Sequence, residues 1–498
     1  MAVILSLVSL AMVHCAAAQW NTNMVDDRKV VVHLFEWKWN DIASECENYL
    51  SGAGYGAVQV SPPNEHREIW DPFRPWWERY QPVSYKLTSR SGNEDEFRSM
   101  IRRCNAVGVR IYVDVVINHM TGVGAGSGYG TAGTSYDTDT RSFPGVPYNN
   151  SDFNDWQCDR DIQNYQDATE VRNCRLVSLL DLDQGNSWVR SKIVDYMNNL
   201  IDIGVAGFRV DACKHMWPGD LKPIFNGLKD LPSEHFGPGA RAFIYQEVID
   251  QGGESIKATE YTDMGYVTEF KYGLELGNCF QGNNHLKWLS NFGEPWGLLA
   301  SGSALAFIDN HDNQRGHGGG GHILTHKEPK QYKMANAFML AWPYGVARVM
   351  SSYSFDDTDS GPPANSDGST KDVECFNGDW VCEHRWRQIS EMANFRRLTA
   401  GTAVENWWDN GSNQIAFSRG NVGFIAINGD SWDLSATIYT GLPAGTYCNL
   451  YTSDYTSKSC TNKDGGMTTV TVKGDGNAYI SIPANDNPVL AIHTSALM

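Results

Sequence analysis

The sequence predicts an α/β protein: a (β/α)8 TIM barrel with an irregular subdomain inserted after strand 3, followed by a C-terminal antiparallel β-sandwich. Three features support this prediction. Eight short apolar runs rich in β-branched residues recur along the chain, helical stretches separate them, and the pattern changes after about residue 402. Runs that alternate with helices indicate parallel strands joined by crossover helices, and eight such units close a barrel.

The helices between the runs have recognisable ends. Asn93 and the acidic residues after it predict a cap for a helix that reaches Ala106, before Gly108. A second helix is predicted over Ser187–Ile203, ended by Gly204. The predicted barrel strands are, in chain order, Val30–Phe35, Ala57–Val60, Ile111–Ile117, Val205–Val210, Phe243–Gln246, Tyr266–Phe270, Ala304–Ile308 and Val346–Met350.

The segment between the third and fourth runs is too long for one helix. It is rich in Gly, Ser, Asp and Asn, and a structureless loop of this length is uncommon in a compact domain. We therefore expect an inserted subdomain over residues 118–183. Its glycine-rich piece, 122–133, is interpreted as a mobile surface loop, because no Gly-Lys-Ser/Thr follows it as in a phosphate-binding loop.

The C-terminal part has short strand patterns separated by Gly, Asn and Asp turns, which is typical of an antiparallel β-sandwich. The predicted strands are Gln414–Ser418, Gly423–Asn428, Ala436–Tyr439, Thr468–Val472 and Ala478–Ile482. The predicted division of the chain is a signal peptide at 1–18, barrel at 19–117 and 184–402, inserted domain at 118–183 and β-sandwich at 403–498.

The N-terminus resembles a secretory signal peptide. An apolar run over Val3–Val13 leads to Ala16–Ala18, which places cleavage before Gln19, although the segment before the run lacks Lys and Arg. The run is too short to span a bilayer. We therefore predict a secreted, extracellular protein without a membrane anchor.

Composition restricts the partners. The formal net charge of −18 argues against nucleic acid and anionic membrane surfaces, which need clustered Lys and Arg. A neutral polysaccharide or a cationic partner fits better. The 17 Trp and 22 Tyr offer flat apolar faces with a polar edge, which suit sugar rings, although core packing is an equal explanation for any one of them. No region indicates a dedicated interface, so we expect a monomer.

Ten cysteines remain after the predicted cleavage, and an even number in a secreted chain indicates disulfides. No Cys-x-x-Cys pair occurs, which disfavours zinc. Cys213 and Cys279 are left as possible free thiols, and Asn149 and Asn410 begin possible glycosylation sequons. The predicted pairs are Cys46–Cys104, Cys158–Cys174, Cys375–Cys382 and Cys448–Cys460.

Three carboxylates come at or just after predicted strand ends: Asp211, Glu247 and Asp312. Any one of them could be a helix cap, but three at the catalytic face of one barrel indicate chemistry. Glycoside cleavage needs two carboxyl groups beside the scissile bond, one ionised and one protonated, roughly 5–5.5 Å apart in a retaining enzyme. A third carboxylate could hold sugar hydroxyls and stabilise a cationic transition state.

Several segments together resemble glycoside hydrolase family 13, the α-amylase superfamily, and its animal-type α-amylases in particular. The similarity extends from about Gln19 to the C-terminus. The four superfamily blocks match Asp114–His119, Gly207–Asp211, Glu247 in its strand and Phe307–Asp312. The animal-type stretches are His33–Trp37, Pro75–Pro82, Lys214–Asp220 and Asn310–Gly316.

The resemblance implies an α-amylase that hydrolyses internal α-1,4 bonds of starch, glycogen and malto-oligosaccharides with retention of configuration. Asp211 would be the nucleophile, Glu247 the general acid/base and Asp312 the transition-state stabiliser. The alternatives for the sugar-contacting residues are core packing and a structural histidine. The implied sugar contacts are Trp76, Trp77, Tyr80, Gln81, His119, Lys214, His215, His311 and His317.

Calcium is implied by the same resemblance. Asn118 and Asp181 would supply side-chain oxygens, and Arg172 and His215 backbone oxygens, a mixture that suits calcium. Asn173 stands where the animal enzymes have Asp, which removes a negative charge and predicts weaker binding.

Chloride is implied by Arg209, Asn310 and Arg348. Arg348 is the residue that distinguishes chloride-dependent members of the family, because members that do not need chloride generally lack an Arg at this position. Arg209 has an alternative role as an ion-pair partner that positions Asp211. Chloride beside Glu247 would favour its protonated form.

Two rival functions stay open. The chain could be a non-catalytic carbohydrate-binding or subunit protein on the same fold, although all three acids are present. It could also be a transglycosidase or another α-glucosidase, which the carboxylates alone do not distinguish. Cys213, two residues after Asp211, is either a reactive thiol or, more commonly, an inert buried one.

Overall fold

Eight parallel strands close into a barrel in the computed structural model, which describes residues 19–25 and 28–498. Each strand pairs with the next in chain order, and the eighth pairs with the first. The predicted barrel is therefore confirmed, whereas the predicted signal peptide lies outside the described residues. The strands are Val30–Leu34, Tyr55–Val60, Arg110–Val115, Gly207–Val210, Phe243–Gln246, Tyr266–Thr268, Ala304–Phe307 and Val346–Ser351.

The helices between the strands follow the sequence signals closely. The Asn93 side chain accepts a hydrogen bond from the Glu96 N–H, and the Glu96 carboxylate accepts one from the Asn93 N–H, so the predicted cap is a full capping box. Gly204 ends its helix in the left-handed region, with φ 109°. The longer helices are Trp39–Glu45, Glu94–Ala106, Ser187–Ile203, Pro218–Asn226, Phe270–Phe280, Pro329–Ala341 and Arg387–Leu398, with a π-helical turn at Cys46–Leu50.

Two predicted strands extend two residues too far at their C-terminal ends. The third strand ends at Val115, two residues before the predicted end, and the sixth ends at Thr268. The sixth is shorter because the Glu269 side chain accepts a hydrogen bond from the Lys271 N–H and so caps a helix that begins at Phe270.

The inserted segment has secondary structure of its own. Its strand His119–Gly122 pairs antiparallel with Leu179–Asp181, so the two ends of the insertion meet at the barrel. The interpretation of 122–133 as a loop is partly wrong, because Ser127–Tyr129 pairs with Ser135–Asp137 in a hairpin. A short helix, Ala168–Asn173, completes the segment.

The C-terminal part is a sandwich of two four-stranded antiparallel sheets, as predicted. Buried side chains of both sheets, Phe424 and Ile480 among them, form its core. The first sheet contains Val404–Asp409, Gln414–Arg419, Gly423–Asn428 and Val489–His493; the second contains Leu434–Tyr439, Asn477–Ile482, Thr469–Val472 and Gly445–Cys448; a hairpin adds Ser453–Thr456 and Ser459–Asn462.

All four predicted disulfides are present. Cys213 and Cys279 are free and buried. Burial raises the pKa of the Cys213 thiol, and the charges of Glu247 and Asp211 add to the effect, so this thiol stays protonated and weakly nucleophilic. Within 19–25 and 28–498, no helix combines the length and apolarity needed to cross a bilayer.

Arg396 stabilises the closure of the barrel. Its guanidinium is buried and donates to four backbone carbonyls: Met339, Trp342, Tyr344 and Gly345, at the end of one helix and in the turn into the last strand. Cations are favourable at this end of a helix. Its neighbour Arg397 reaches only the Asn394 side chain.

We therefore expect Arg396→Met to lower the free energy of unfolding by about 3 kcal/mol or more, because it leaves several buried carbonyls without donors. Arg397→Met is the matched control and should change it by less than about 0.5 kcal/mol. Thermal unfolding of the two variants beside the wild type measures the difference. Equal unfolding temperatures for both variants would show that Arg396 has no such role.

Candidate active site

Three carboxylates meet at the C-terminal face of the barrel. Asp211 follows the fourth strand directly, Glu247 follows the fifth, and Asp312 lies in the turn after the seventh. Because all eight strands are parallel, these ends share one face. Asp211 and Glu247 are 7% and 8% exposed, so both are screened from bulk water but reachable.

One guanidinium links the carboxylates. Arg209 Nη1 donates to Asp211 Oδ1 at 2.9 Å, and Nη2 lies 2.7 Å from Glu247 Oε1. Two nitrogens of a single planar group thus contact the predicted nucleophile and the predicted acid. The two carboxyl groups are therefore neighbours on the same side of the molecule, which a retaining mechanism requires.

Asp114 is a central residue to which the sequence assigned no role. It lies on the third strand, is fully buried, and accepts from Arg209 Nη1 with both oxygens, at 2.7 and 2.8 Å. Its Oδ2 also accepts from the Tyr80 hydroxyl at 2.8 Å. A charged residue inside an otherwise apolar run was the available signal, since buried charges are paired or functional.

The turn after the fourth strand fixes Glu247 against Asp211. The Ala212 N–H donates to Glu247 Oε2 at 2.9 Å, and Ala212 has a positive φ of 50°. A left-handed conformation is unfavourable for a residue with a side chain, and such residues cluster at functional sites. This turn therefore points the N–H of Ala212, one residue after the predicted nucleophile Asp211, at the predicted acid Glu247.

The acidic groups perturb one another. Burial, reinforced by the charge of Glu247, raises the pKa of Asp312 to about 7. Burial also raises the pKa of Asp211 well above its usual range; Arg209 opposes this shift and the neighbouring carboxyls reinforce it. The group as a whole therefore retains a proton near neutral pH, which is what an acid catalyst needs.

Four of the predicted sugar contacts lie together beside the acids. The Tyr80 ring stacks on His311 at 5.4 Å, and Trp76 packs edge-on against both rings. His119 Nε2 lies 2.9 Å from the Tyr80 carbonyl. His311 Nε2 lies 3.2 Å from Asp312 Oδ2, so the aromatic group is continuous with the carboxylates.

The remaining predicted sugar contacts have partners outside this aromatic group. Trp77 is half-buried and donates to Asp359, and the His317 ring is 6.1 Å from Trp76. Lys214 pairs with Glu254 and lies over the Tyr165 ring at 5.1 Å. Two predicted contacts have internal partners: Gln81 Oε1 accepts from the Gly122 N–H, and the His215 ring lies 3.0 Å from the Val171 carbonyl.

Two of the predicted calcium residues, Asn118 and Asp181, lie where the insertion joins the barrel. His119, next to Asn118, is paired in register with Asp181, and the Oδ1 atoms of Asn118 and Asp181 are buried without a hydrogen-bond partner. Asn173 Oδ1 instead accepts from the Trp217 indole at 2.7 Å. In the described chain no group of three or more His, Cys, Asp and Glu could hold a metal, so calcium would depend on amide and carbonyl oxygens beside the Asp181 carboxylate.

The predicted chloride residues lie under the acids. Arg348 is buried, with Nη1 bonded to Gln59 Oε1 and Nη2 without a partner. Arg209 Nη2 approaches Glu247 at an angle that leaves it without a hydrogen bond. Asn310 Oδ1 accepts from two backbone N–H groups and so shapes the Asp312 turn.

Comparison with known proteins identifies the family. The family models "Alpha amylase, catalytic domain" and "Alpha amylase, C-terminal all-beta domain" match residues 48–247 and 406–495. An α-amylase of Pecten maximus is 55% identical over 488 residues, covering 96% of this chain and 94% of that protein. Mouse pancreatic α-amylase 2a5 is 54% identical, covering 98% of both. This chain belongs to the animal α-amylase family.

The α-amylase resemblance extends to the three-dimensional structure. The crystal structure of a glutamate-to-glutamine mutant of α-amylase I from Eisenia fetida in complex with maltohexaose matches with a TM-score of 0.92 and 53% identity. The match covers 94% of this chain and 98% of that one. The family membership inferred from the short sequence blocks is thus confirmed over nearly the whole chain.

We expect Asp312→Asn to stabilise the fold at about pH 8 but much less at about pH 5. The pKa of Asp312 is raised in the folded protein, so the folded state binds the extra proton and the wild type loses stability as pH rises toward 7. An amide carries no charge at either pH. Unfolding temperatures of wild type and variant at the two pH values measure the effect.

Asp367→Asn is the control. Hydrogen bonds from Ser369 lower the pKa of this exposed carboxyl, so its removal should bring no gain at the higher pH. A stabilisation of Asp312→Asn that is the same at both pH values would contradict the raised pKa.

Proposed function

We propose that this chain is an α-amylase that hydrolyses internal α-1,4 bonds of starch, glycogen and malto-oligosaccharides with retention of configuration. The observation that carries the proposal is the contact of one guanidinium, Arg209, with both Asp211 and Glu247. The α-amylases of similar sequence, and the maltohexaose in the Eisenia structure, support the substrate class.

The reaction proceeds in two displacements. Asp211 attacks the anomeric carbon in its ionised form, which the Arg209 hydrogen bond favours, while Glu247 gives its proton to the departing glycosidic oxygen. The bond from sugar to leaving group breaks and a glycosyl ester forms on Asp211. Glu247, now a base, then takes a proton from water, whose oxygen attacks the same carbon and releases Asp211.

The surrounding groups bind the sugar in the geometry the acids need. Asp312 and His311 lie where they can hold sugar hydroxyls, and Asp312 stabilises the positive charge that develops on the ring. Trp76 and Tyr80 provide the stacking surface, with Trp77, Gln81 and His119 beside it. Lys214, His215 and His317 contact the chain beyond the cleaved bond.

We expect Asp211→Asn and Glu247→Gln each to reduce starch hydrolysis about 10²- to 10⁴-fold or more, because each removes one half of the acid–nucleophile pair. Glu275→Gln, on a distant helix, is the matched control. NMR of the first products from wild-type enzyme should show the α-anomer.

The outcomes separate the alternatives. Initial β-anomer would contradict retention. Negligible hydrolysis by the wild type, with starch still bound, would identify a carbohydrate-binding protein. Products dominated by newly joined α-glucans would identify a transglycosidase.

Calcium fits the residues at the base of the insertion. The unpartnered buried oxygens of Asn118 and Asp181 are of the type that calcium prefers, and the carbonyls of Arg172 and His215 with the Asn173 amide complete the ligand set. When bound, the ion would supply a cross-link between insertion and barrel. His215 would then join the insertion to the barrel twice, through its carbonyl on the ion and through its ring, which is hydrogen-bonded to the Val171 carbonyl of the insertion.

We expect Asn173→Asp to increase calcium affinity, because a carboxylate attracts the cation more strongly than an amide. The rise of unfolding temperature with added calcium measures this affinity. Asn164→Asp, on the exposed surface of the insertion, adds the same charge away from the ligands and is the matched control. An equal response of both variants would mean that Asn173 is not a ligand.

Chloride fits the barrel interior beneath Glu247. Arg348 Nη2 is a buried donor without an acceptor, Arg209 Nη2 forms an ion-pair contact with Glu247 but no hydrogen bond, and Asn310 lies beside the Asp312 turn. When bound, the anion would supply an acceptor for Arg348 Nη2 and a negative charge beside this guanidinium, whose Nη1 donates to the neutral Gln59. It would also compete with Glu247 for the Arg209 guanidinium.

We further propose that the protein is secreted as an extracellular monomer after loss of residues 1–18. Four disulfides support an oxidising compartment. The proposed division is barrel at 19–117 and 184–402, inserted domain at 118–183 and C-terminal sandwich at 403–498.

A further inference from the structure

Gln59 occupies the centre of the barrel's polar interior. It lies on the second strand, has no exposed surface, and accepts two hydrogen bonds at Oε1, from Arg348 Nη1 and from the Tyr245 hydroxyl, both at 2.8 Å. These two bonds fix which way the amide points. Its Nε2 is buried and has no hydrogen-bond partner, and a buried donor left unpaired is costly.

The neighbouring groups also include donors without hydrogen bonds. Arg348 Nη2 has no hydrogen-bond partner, and Arg209 Nη2 has an ion-pair contact with Glu247 Oε1, at 2.7 Å, but no hydrogen bond. The two guanidiniums are close enough that the charge of Arg209, together with burial, lowers the pKa of Arg348. Arg348 also lies over the Phe307 ring, at 4.6 Å, which closes one side with an apolar surface.

His33 lies beside Gln59 and near the two arginines, and it adds no negative charge to this group of donors. It is paired in register with Gln59, is fully buried, and has no partner at either ring nitrogen. Burial, with Arg348 and Arg209 next in effect, holds the pKa of His33 well below its usual value, so the ring stays neutral. A small anion would satisfy this excess of donors.

We infer that Gln59 is a further residue of the anion site: its carbonyl positions Arg348, and its amide N–H donates to the bound chloride. This inference rests on the chloride site proposed above and extends it to a neutral side chain. Glutamine is matched to both tasks because it has an acceptor and a donor on one planar group.

Two substitutions distinguish the roles. Gln59→Met keeps the volume but removes both hydrogen-bonding groups. Gln59→Glu keeps the shape and places a permanent negative charge beside Arg348, so the protein itself supplies what chloride would. Val58→Ala is the matched control, because successive strand residues point to opposite faces and Val58 is buried away from Gln59. Arg348→Gln is the reference for loss of the site.

The experiment titrates chloride against gluconate at constant ionic strength and follows the unfolding temperature, which reports binding without using activity. We expect Gln59→Met to weaken chloride binding about tenfold to a hundredfold, as for loss of a hydrogen bond to a charged group. Gln59→Glu should lose the response, as Arg348→Gln does, and Val58→Ala should unfold earlier with unchanged affinity.

Chloride affinity equal to wild type in both Gln59 variants would overturn the inference and would leave only a buried water at Nε2. A wild type that does not respond to chloride would overturn the chloride site and this role of Gln59 together. Starch hydrolysis measured on the same samples tests the catalytic proposal separately.

Discussion

The positive charge of Arg209 inside the barrel is the constraint on which the active site depends. A buried guanidinium is stable only if its charge and its N–H groups are satisfied. Asp114 meets this need with both oxygens, and Asp211 and Glu247 lie against the same group. The fourth strand thus carries the cation two residues before the nucleophile, and the barrel brings strands three and five to it. Cation and acids form one electrostatic unit.

Within that unit, the positions of protons follow from unequal contacts. Burial raises the pKa of both carboxyls, to about 7 for Asp312, but Asp211 also accepts a hydrogen bond from Arg209 that opposes the rise, whereas His311 is the side chain against Asp312 Oδ2. Coupled acids titrate as a group, so the proton resides where ionisation is least supported. Two carboxyls of similar chemistry can therefore have opposite roles in one reaction because their surroundings differ.

Local sequence patterns predicted the barrel well because its strands are buried on both faces and read as apolar runs. The capping box at Asn93 and the helix end at Gly204 were also predictable, because both depend on residues close together in the sequence. Strands such as Val404–Asp409 and Ser459–Asn462 were missed because they are partly exposed and polar.

Sequence patterns were least informative where function depends on register between distant strands. The three catalytic acids could be identified from family motifs, but Asp114 and Gln59 could not be given a role. Their chemistry appears only when the third strand lies beside Arg209 and the second places its amide against Arg348. No periodicity within a single strand reports such a contact.

Asp114 also connects catalysis to substrate binding. One of its oxygens accepts from both Arg209 and the Tyr80 hydroxyl, and the Tyr80 ring stacks on His311, which touches Asp312. The surface proposed to stack on a glucose ring is therefore held by the same carboxylate that neutralises the central cation. A displacement of Asp114 would move the stacking ring and alter the charge balance together, so binding geometry and proton placement cannot vary independently in this site.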